Sequence, residues 1–255
     1  MRPGSRITLS LLALGVLSIS VEAGVSPVQI KRASSLTIKG DRALKRGDFD
    51  SASIMFRKAL DRLAYYPDAH LGLGQLAMTE GRFEDALEHF TRAHDGFVEL
   101  GAALLNVRAK RYASAQSEIG KLRDRLDRLS SFSDSETPGP WYSNVDQQLA
   151  SARAKIRELE GIQSPNPHDA AEPPGEIYFH IGNALFRLGR TDEALTAWET
   201  CRRKTPDYPI VYNNLALAYW QAGRIDEAAE HLARAEALGF PVHPQFKADL
   251  QRHSR

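Results

Sequence analysis

One cysteine, Cys201, is all that the 255 residues contain, so no disulfide can form within the chain. Net charge is nearly absent too, with 33 lysines and arginines set against 32 aspartates and glutamates. That balance argues against a nucleic-acid partner, because binding phosphates needs a clustered positive field. The two short basic groups, Arg108–Arg111 and Arg202–Lys204, fall near expected helix ends, where cations complement the helix dipole. Histidines are scattered, and none has the tight spacing to cysteine or carboxylate partners that zinc requires, so no metal and no cofactor is expected. A glycine-rich phosphate loop, a nucleophile elbow and a histidine–carboxylate zinc motif are all missing, and catalysis is not expected. The lone thiol reads as buried and inert.

Hydrophobic residues make up 42% and charged residues 25%, ordinary values for a globular protein. The first residues depart from this. Arg2 and Arg6 precede Ile7–Val21, which is apolar apart from Thr8 and three serines. At about 1.5 Å per residue such a run spans roughly 22 Å, short of the roughly 30 Å hydrocarbon core. Val21-Glu22-Ala23 then places small or branched residues where signal peptidase cuts. Residues 1–23 are expected to be a signal peptide cleaved after Ala23, making the mature chain exported or periplasmic, with the membrane met only in transit.

What is present is a repeat. Tyr178, Ile181, Gly182 and Leu185 lead to Gly189, then Ala194, Trp198, Cys201 and Pro206. Tyr212, Leu215, Ala216 and Tyr219 lead to Gly223, then Ala228, Leu232, Ala235 and Pro241, each 34 residues on except the proline, which is one later. In the N-terminal half Leu36, Gly40 and Ala43 precede Gly47, Phe49, Ala52, Phe56 and Ala59. Leu73, Gly74 and Ala77 then precede Gly81, Phe83, Ala86, Phe90 and Ala93. Small residues let two helices approach, and Phe56, Phe90, Trp198 and Leu232 fill the space between them. Gly47, Gly81, Gly189 and Gly223 end first helices, where a left-handed residue closes the turn. Acidic residues follow in the first turn of each second helix.

These residues resemble the tetratricopeptide repeat family, over roughly 33–94 and 175–241. The resemblance implies an all-α, right-handed superhelical solenoid of helix–turn–helix repeats, here with a helical hairpin insertion. Residues 33–130 are expected to form an N-terminal block of two clear repeats plus one degenerate unit at 96–130. The stripes Ala115, Ile119, Leu122, Leu126, Leu129 and Val145, Leu149, Ala152, Ile156, Leu159 predict two antiparallel helices, joined through Thr137-Pro138-Gly139-Pro140. Two heptads each favour an intramolecular hairpin over a coiled-coil dimer, so the free protein is expected to be monomeric. A helical insertion and proline-rich linker (131–174), a C-terminal repeat pair (175–241) and a capping helix and tail (242–255) complete the division. The face of the C-terminal pair at Tyr178–Leu188 needs a cover, and the 143–161 helix is the expected one.

The resemblance also implies that first helices line a concave face that binds protein or peptide partners. On that face it points to Phe179, Asn183 and Arg187, then Asn213, Asn214, Leu217, Trp220 and Gln221. Some family members clamp a C-terminal carboxylate between two asparagines and several cations. Asn183 and Asn214 match the asparagines, but Phe179 stands where a lysine belongs, so no such clamp is expected. The functional expectation is a non-enzymatic adaptor of the cell envelope. The alternative is a structural subunit of a larger envelope assembly (secretion, pilus or polysaccharide export machinery), in contact through its convex face or hairpin.

Overall fold

The computed structural model describes residues 27–133, 142–166 and 172–253, so the expected signal peptide with its cut after Ala23 lies outside the described residues. No helix among the described residues is long and apolar enough to cross a membrane. Among the described residues ten helices follow one another: α1 (Pro27–Lys45), α2 (Phe49–Leu60), α3 (Pro67–Thr79), α4 (Phe83–Ser133), α5 (Tyr142–Glu160), α6 (Gly175–Arg187), α7 (Thr191–Lys204), α8 (Pro209–Gln221), α9 (Ile225–Ala237) and α10 (Pro244–His253). They divide into two units. Residues Pro27–Leu100 and the chain from residue 172 onward make one, and residues 101–166 belong to the other.

In the first unit α1/α2, α3/α4, α6/α7 and α8/α9 are the four repeated helix pairs. Each turn between paired helices is closed the same way. Gly47, Gly81, Gly189 and Gly223 all take φ between 75° and 77°, open to solvent, and only glycine enters that region without strain. The residue after each glycine donates its N–H five residues back: Asp48 to Ala43, Arg82 to Ala77, Arg190 to Leu185 and Arg224 to Tyr219, at 2.9–3.0 Å. Orphan carbonyls at the helix ends are satisfied in this way. Proline at the first position of α3 and α8 fixes the entry of those helices.

Between paired helices the large-against-small interlock is severe. A Cβ on Gly74 would lie 2.4 Å from the Phe90 ring, and one on Gly182 would lie 2.5 Å from Trp198. Phe56 is held between two first helices, since Cβ atoms on Gly40 and on Gly72 would meet it at 2.6 and 2.3 Å. The residue two before the small one is thus the contact between successive repeats. Gly72 meets Phe56, His180 stacks on Phe90 with ring centroids 5.1 Å apart, and Asn214 reaches Asn183.

The ends of the stack differ from its middle. Ala69, Leu73 and Leu76 on α3, and Val211, Leu215 and Ala218 on α8, are buried where each helix packs on the preceding repeat. Ser35, Lys39 and Arg42 hold the equivalent places on α1 and are exposed, as the polar outer face of a terminal repeat must be. At the other end Leu250 of α10 is buried and Phe246 packs against the same core.

Two expectations are corrected. No degenerate third repeat exists at 96–130, because α4 runs unbroken from Phe83 to Ser133. The second helices α7 and α9 stop just before Pro206 and Pro241, whereas no proline follows Ala93 before residue 138. Gly96 does not end a helix either. Its missing Cβ would lie 2.3 Å from the Tyr65 carbonyl oxygen, so it permits close approach of α4 to the α2–α3 connection. Second, the cover over α6, for which the 143–161 helix is the expected candidate, is supplied by the second repeat. Ile177 packs with Ala93 and Phe97, and Ala184 with Ala77, Ala86 and Phe90, while Ile181 borders both clusters. Across this joint His94 Nε2 lies 3.1 Å from the Tyr178 hydroxyl, and Arg187 lies over the Phe83 ring at 4.4 Å. The third pair therefore stacks directly on the second, although more than seventy residues separate them in the chain.

The second unit is a helical hairpin with its own core. Ala115 and Ile119 of α4 pack with Ile156 and Leu159 of α5, and Leu122, Leu126 and Ile162 border them. Arg123 donates to Glu160 at 2.9 Å and Arg125 to Gln148 at 2.7 Å along its edge. The stripes place these contacts where expected. The Thr137–Pro140 turn lies outside the described residues.

Candidate functional site

The residues expected to bind lie on α6 and α8, the first helices of the last two repeats, and the structure separates them. Asn183 and Asn214 are joined. The Trp198 indole N–H, buried under α6, donates to the Phe179 carbonyl and to Asn183 Oδ1, each at 3.2 Å. Indole nitrogen only donates, so Asn183 must present its oxygen there. Asn214 Nδ2 donates to that same oxygen at 2.9 Å. The orientation of both amides follows from the indole. Asn183 Nδ2 and Asn214 Oδ1 are left facing other directions as one donor and one acceptor.

Phe179 does not belong to the face. It is only 6% exposed and sits in the main core, edge-on to the Tyr208 ring at 5.2 Å. The sequence placed it on the outer side of α6, but the α7–α8 connection folds Tyr208 over it. Burial also pushes the Tyr208 hydroxyl up to about 12. Arg187 remains exposed but is engaged over Phe83. Asn213 and Leu217 are half-buried on α8, and Gln221 is exposed at its end. Trp220 is half-buried because Phe246 of α10 meets it edge-on at 5.5 Å. Of the expected set, then, Asn183, Asn213, Asn214, Leu217 and Gln221 remain accessible in part or whole, and Trp220 shares its ring with the cap.

On the same side of the first two repeats the structure adds residues that periodicity alone did not single out. Asp68 of α3 is half-buried, and its carboxyl is raised to about 6 by burial and then by the nearby charge of Asp41, against a hydrogen bond from Tyr66. The signal was present in the repeat register, since Asp41 directly follows the small glycine of α1. Elsewhere, Glu199 of α7 accepts from Arg202 Nε at 2.7 Å and from the Tyr219 hydroxyl at 3.4 Å, with His231 Nε2 at 3.5 Å. That cluster joins α7, α8 and α9 and is explained as packing. Cys201 is fully buried, and burial pushes its thiol up to about 12, which leaves no reactive thiolate near neutrality. Among the described residues no group of three or more histidine, cysteine or acidic side chains is placed to hold a metal ion.

A family model described as tetratricopeptide repeat matches residues 39–96 and 179–239. Those two spans fall on the four helix pairs and leave out the hairpin.

The chain is a tetratricopeptide repeat protein.

Protein CTR9 homolog of Arabidopsis thaliana is 24% identical to this tetratricopeptide repeat protein over 221 residues, or 82% of the chain, while the chain spans only 19% of that relative's length. Among solved structures, TTC0263, a thermophilic tetratricopeptide repeat protein from Thermus thermophilus, is 18% identical with a TM-score of 0.37, over 87% of this chain and 98% of that one. YrrB, described as a tetratricopeptide repeat protein with an unusual peptide-binding site, is 17% identical with a TM-score of 0.30, over 86% of this chain and 92% of that one.

Proposed function

We propose that this tetratricopeptide repeat protein is a non-enzymatic adaptor that holds an extended segment of a partner protein along α6 and α8. The observation that carries the reading is the oriented amide pair. Asn183 Nδ2 and Asn214 Oδ1 offer one donor and one acceptor on adjacent first helices, the complement of a peptide C=O and N–H. Both groups are neutral, which suits a main chain rather than an anion. Leu217 and Trp220 supply apolar surface beside them for side chains. Orientation by Trp198 means that little amide freedom is lost on binding, which favours affinity.

Asn214→Ala with Trp220→Ala is expected to abolish partner capture while the helical circular dichroism is kept. Each hydrogen bond contributes about 1 kcal/mol and the ring contact more, so affinity falls by well over tenfold. Photo-crosslinking from position 221 reads the outcome, and capture that survives the double change rules out this face. We further propose that the adaptor works in the cell envelope, after removal of residues 1–23, as a monomer when free. Support comes from the charged start, apolar run and Val21-Glu22-Ala23 of the sequence. N-terminal sequencing of the exported protein is expected to begin at Gly24, and a start at Met1 refutes export by cleavage.

A further inference from the structure

Two histidines meet inside the second repeat, His70 on α3 and His89 on α4. Their Nδ1 atoms lie 3.2 Å apart and the ring centroids 5.5 Å apart. His70 is 4% exposed, and its Nε2 lies 3.0 Å from the Ala64 carbonyl oxygen in the α2–α3 connection. A carbonyl only accepts, so Nε2 of His70 carries a proton in every charge state. Neutral His70 therefore turns an Nδ1 lone pair to His89, and His89 must donate from its own Nδ1. In the neutral pair both facing nitrogens and His70 Nε2 are hydrogen-bonded, with no charge buried.

We propose that His70 and His89 form a proton-operated latch between α3 and α4, closed with no added proton or with one, and forced open by the second. One proton is accommodated because His70 as imidazolium donates from Nδ1 to a His89 that carries its remaining proton on Nε2. A second proton places N–H groups on both facing nitrogens. The hydrogen bond is then lost, and two cations confront each other at hydrogen-bond distance in a half-buried site. From α4, Glu88 and Arg92 act on both rings and Asp85 acts on His89, while the α2–α3 connection supplies the Ala64 carbonyl. Glu88 is paired with Arg92 at 2.6 Å and Asp85 with Arg82, so these carboxylates are already engaged.

The direction in pH follows from burial, which holds both imidazoles below their ordinary value and outweighs the neighbouring charges. A histidine depressed in the folded state binds its proton better when unfolded. Its contribution is complete above the ordinary value of about 6.5 and is lost as pH falls from there towards the folded value. The latch sits in the repeat that supports α6, since Phe90 lies one residue from His89 and stacks on His180. Acid therefore loosens the middle of the stack rather than an end.

The test uses the full chain. Nitrogen–proton correlation spectra of the imidazole rings at pH 7.5 are expected to show His70 as the Nε2–H tautomer and His89 as the Nδ1–H tautomer. Between about pH 6.5 and 5, the opening constant of α3 and α4 from amide exchange, corrected for intrinsic rates, is expected to rise by up to tenfold per pH unit for each proton taken up. His89→Gln keeps a donor towards His70 but removes one titrating group, so the steepness falls by one proton; His231, also depressed by burial, and the Asp68 carboxyl, raised by burial and acting in the opposite direction as pH falls, are the same in both proteins. Three results overturn the latch: His89 as the Nε2–H tautomer at neutral pH, two rings titrating independently at ordinary values, or an unchanged slope in His89→Gln. If that variant does not fold, the tautomers and titration of the unaltered protein decide alone.

Discussion

Replacing Phe90 by alanine is expected to destabilise the first unit by about 3–5 kcal/mol, the cost of deleting a large side chain from a packed site that cannot collapse. The ring fills three contacts at once. It packs against Gly74 of its own repeat, where a Cβ would come within 2.4 Å, it clusters with Ala77, Ala86 and Ala184, and it stacks on His180 of the next repeat. Small residues surround it on both sides, and none can extend to refill the space. Because the ring serves both halves of the stack, the loss is expected to appear as one transition shifted to lower urea by every probe. Separate probes on α1–α3 and on α8–α9 measure this. A change confined to the N-terminal probe contradicts direct stacking of the third pair on the second.

The second large effect concerns the C-terminal repeats taken alone. A fragment comprising residues 172–255 is expected to lose most of its helical circular dichroism at the temperature where the full chain is folded. Ile177 and Ala184 are buried at 1% and 0% exposure, and their partners Ala86, Phe90, Ala93 and Phe97 all lie in α4. Exposing a buried isoleucine costs about 1.5–3 kcal/mol, and two repeats with one uncovered face have little stability to lose. Joining residues 27–100 to 172–255 through a flexible linker restores the cover without the hairpin. That chimera is expected to fold and to unfold cooperatively. A fragment 172–255 that is stable by itself, or a chimera that does not fold, shows that the joint is not what holds the last two repeats.

The two corrections share a physical cause. Periodicity records which face of a helix is apolar, and it did so correctly for Ala115, Ile119, Ile156 and Leu159 in the hairpin. Periodicity does not record which distant helix an apolar face meets. The cover over Ile177 and Ala184 comes from residues about eighty to about a hundred positions earlier, and a pattern read along the chain favours the nearer helix. The unbroken α4 is a case of a missing stop signal: alanine spacing resembled a second helix, but neither a proline nor a left-handed glycine interrupts 96–112. Phe179 marks the limit for the site. Its place on α6 was legible, while its burial depends on Tyr208, which reaches it through the fold of a connection.

From the sequence alone came the repeated pair, its closing glycines and its small-against-large interior, because each rests on contacts within about 34 residues and on the backbone preferences of single residues. The polar backing of α10 was likewise local. Only the tertiary structure decided that the four pairs form one stack despite the inserted hairpin. It alone oriented Asn183 and Asn214, because the indole of Trp198 approaches from another helix. It alone brought His70 to His89, nineteen residues apart on two antiparallel helices. Such partners are selected by packing at a distance, where sequence separation carries no information about which side chains touch.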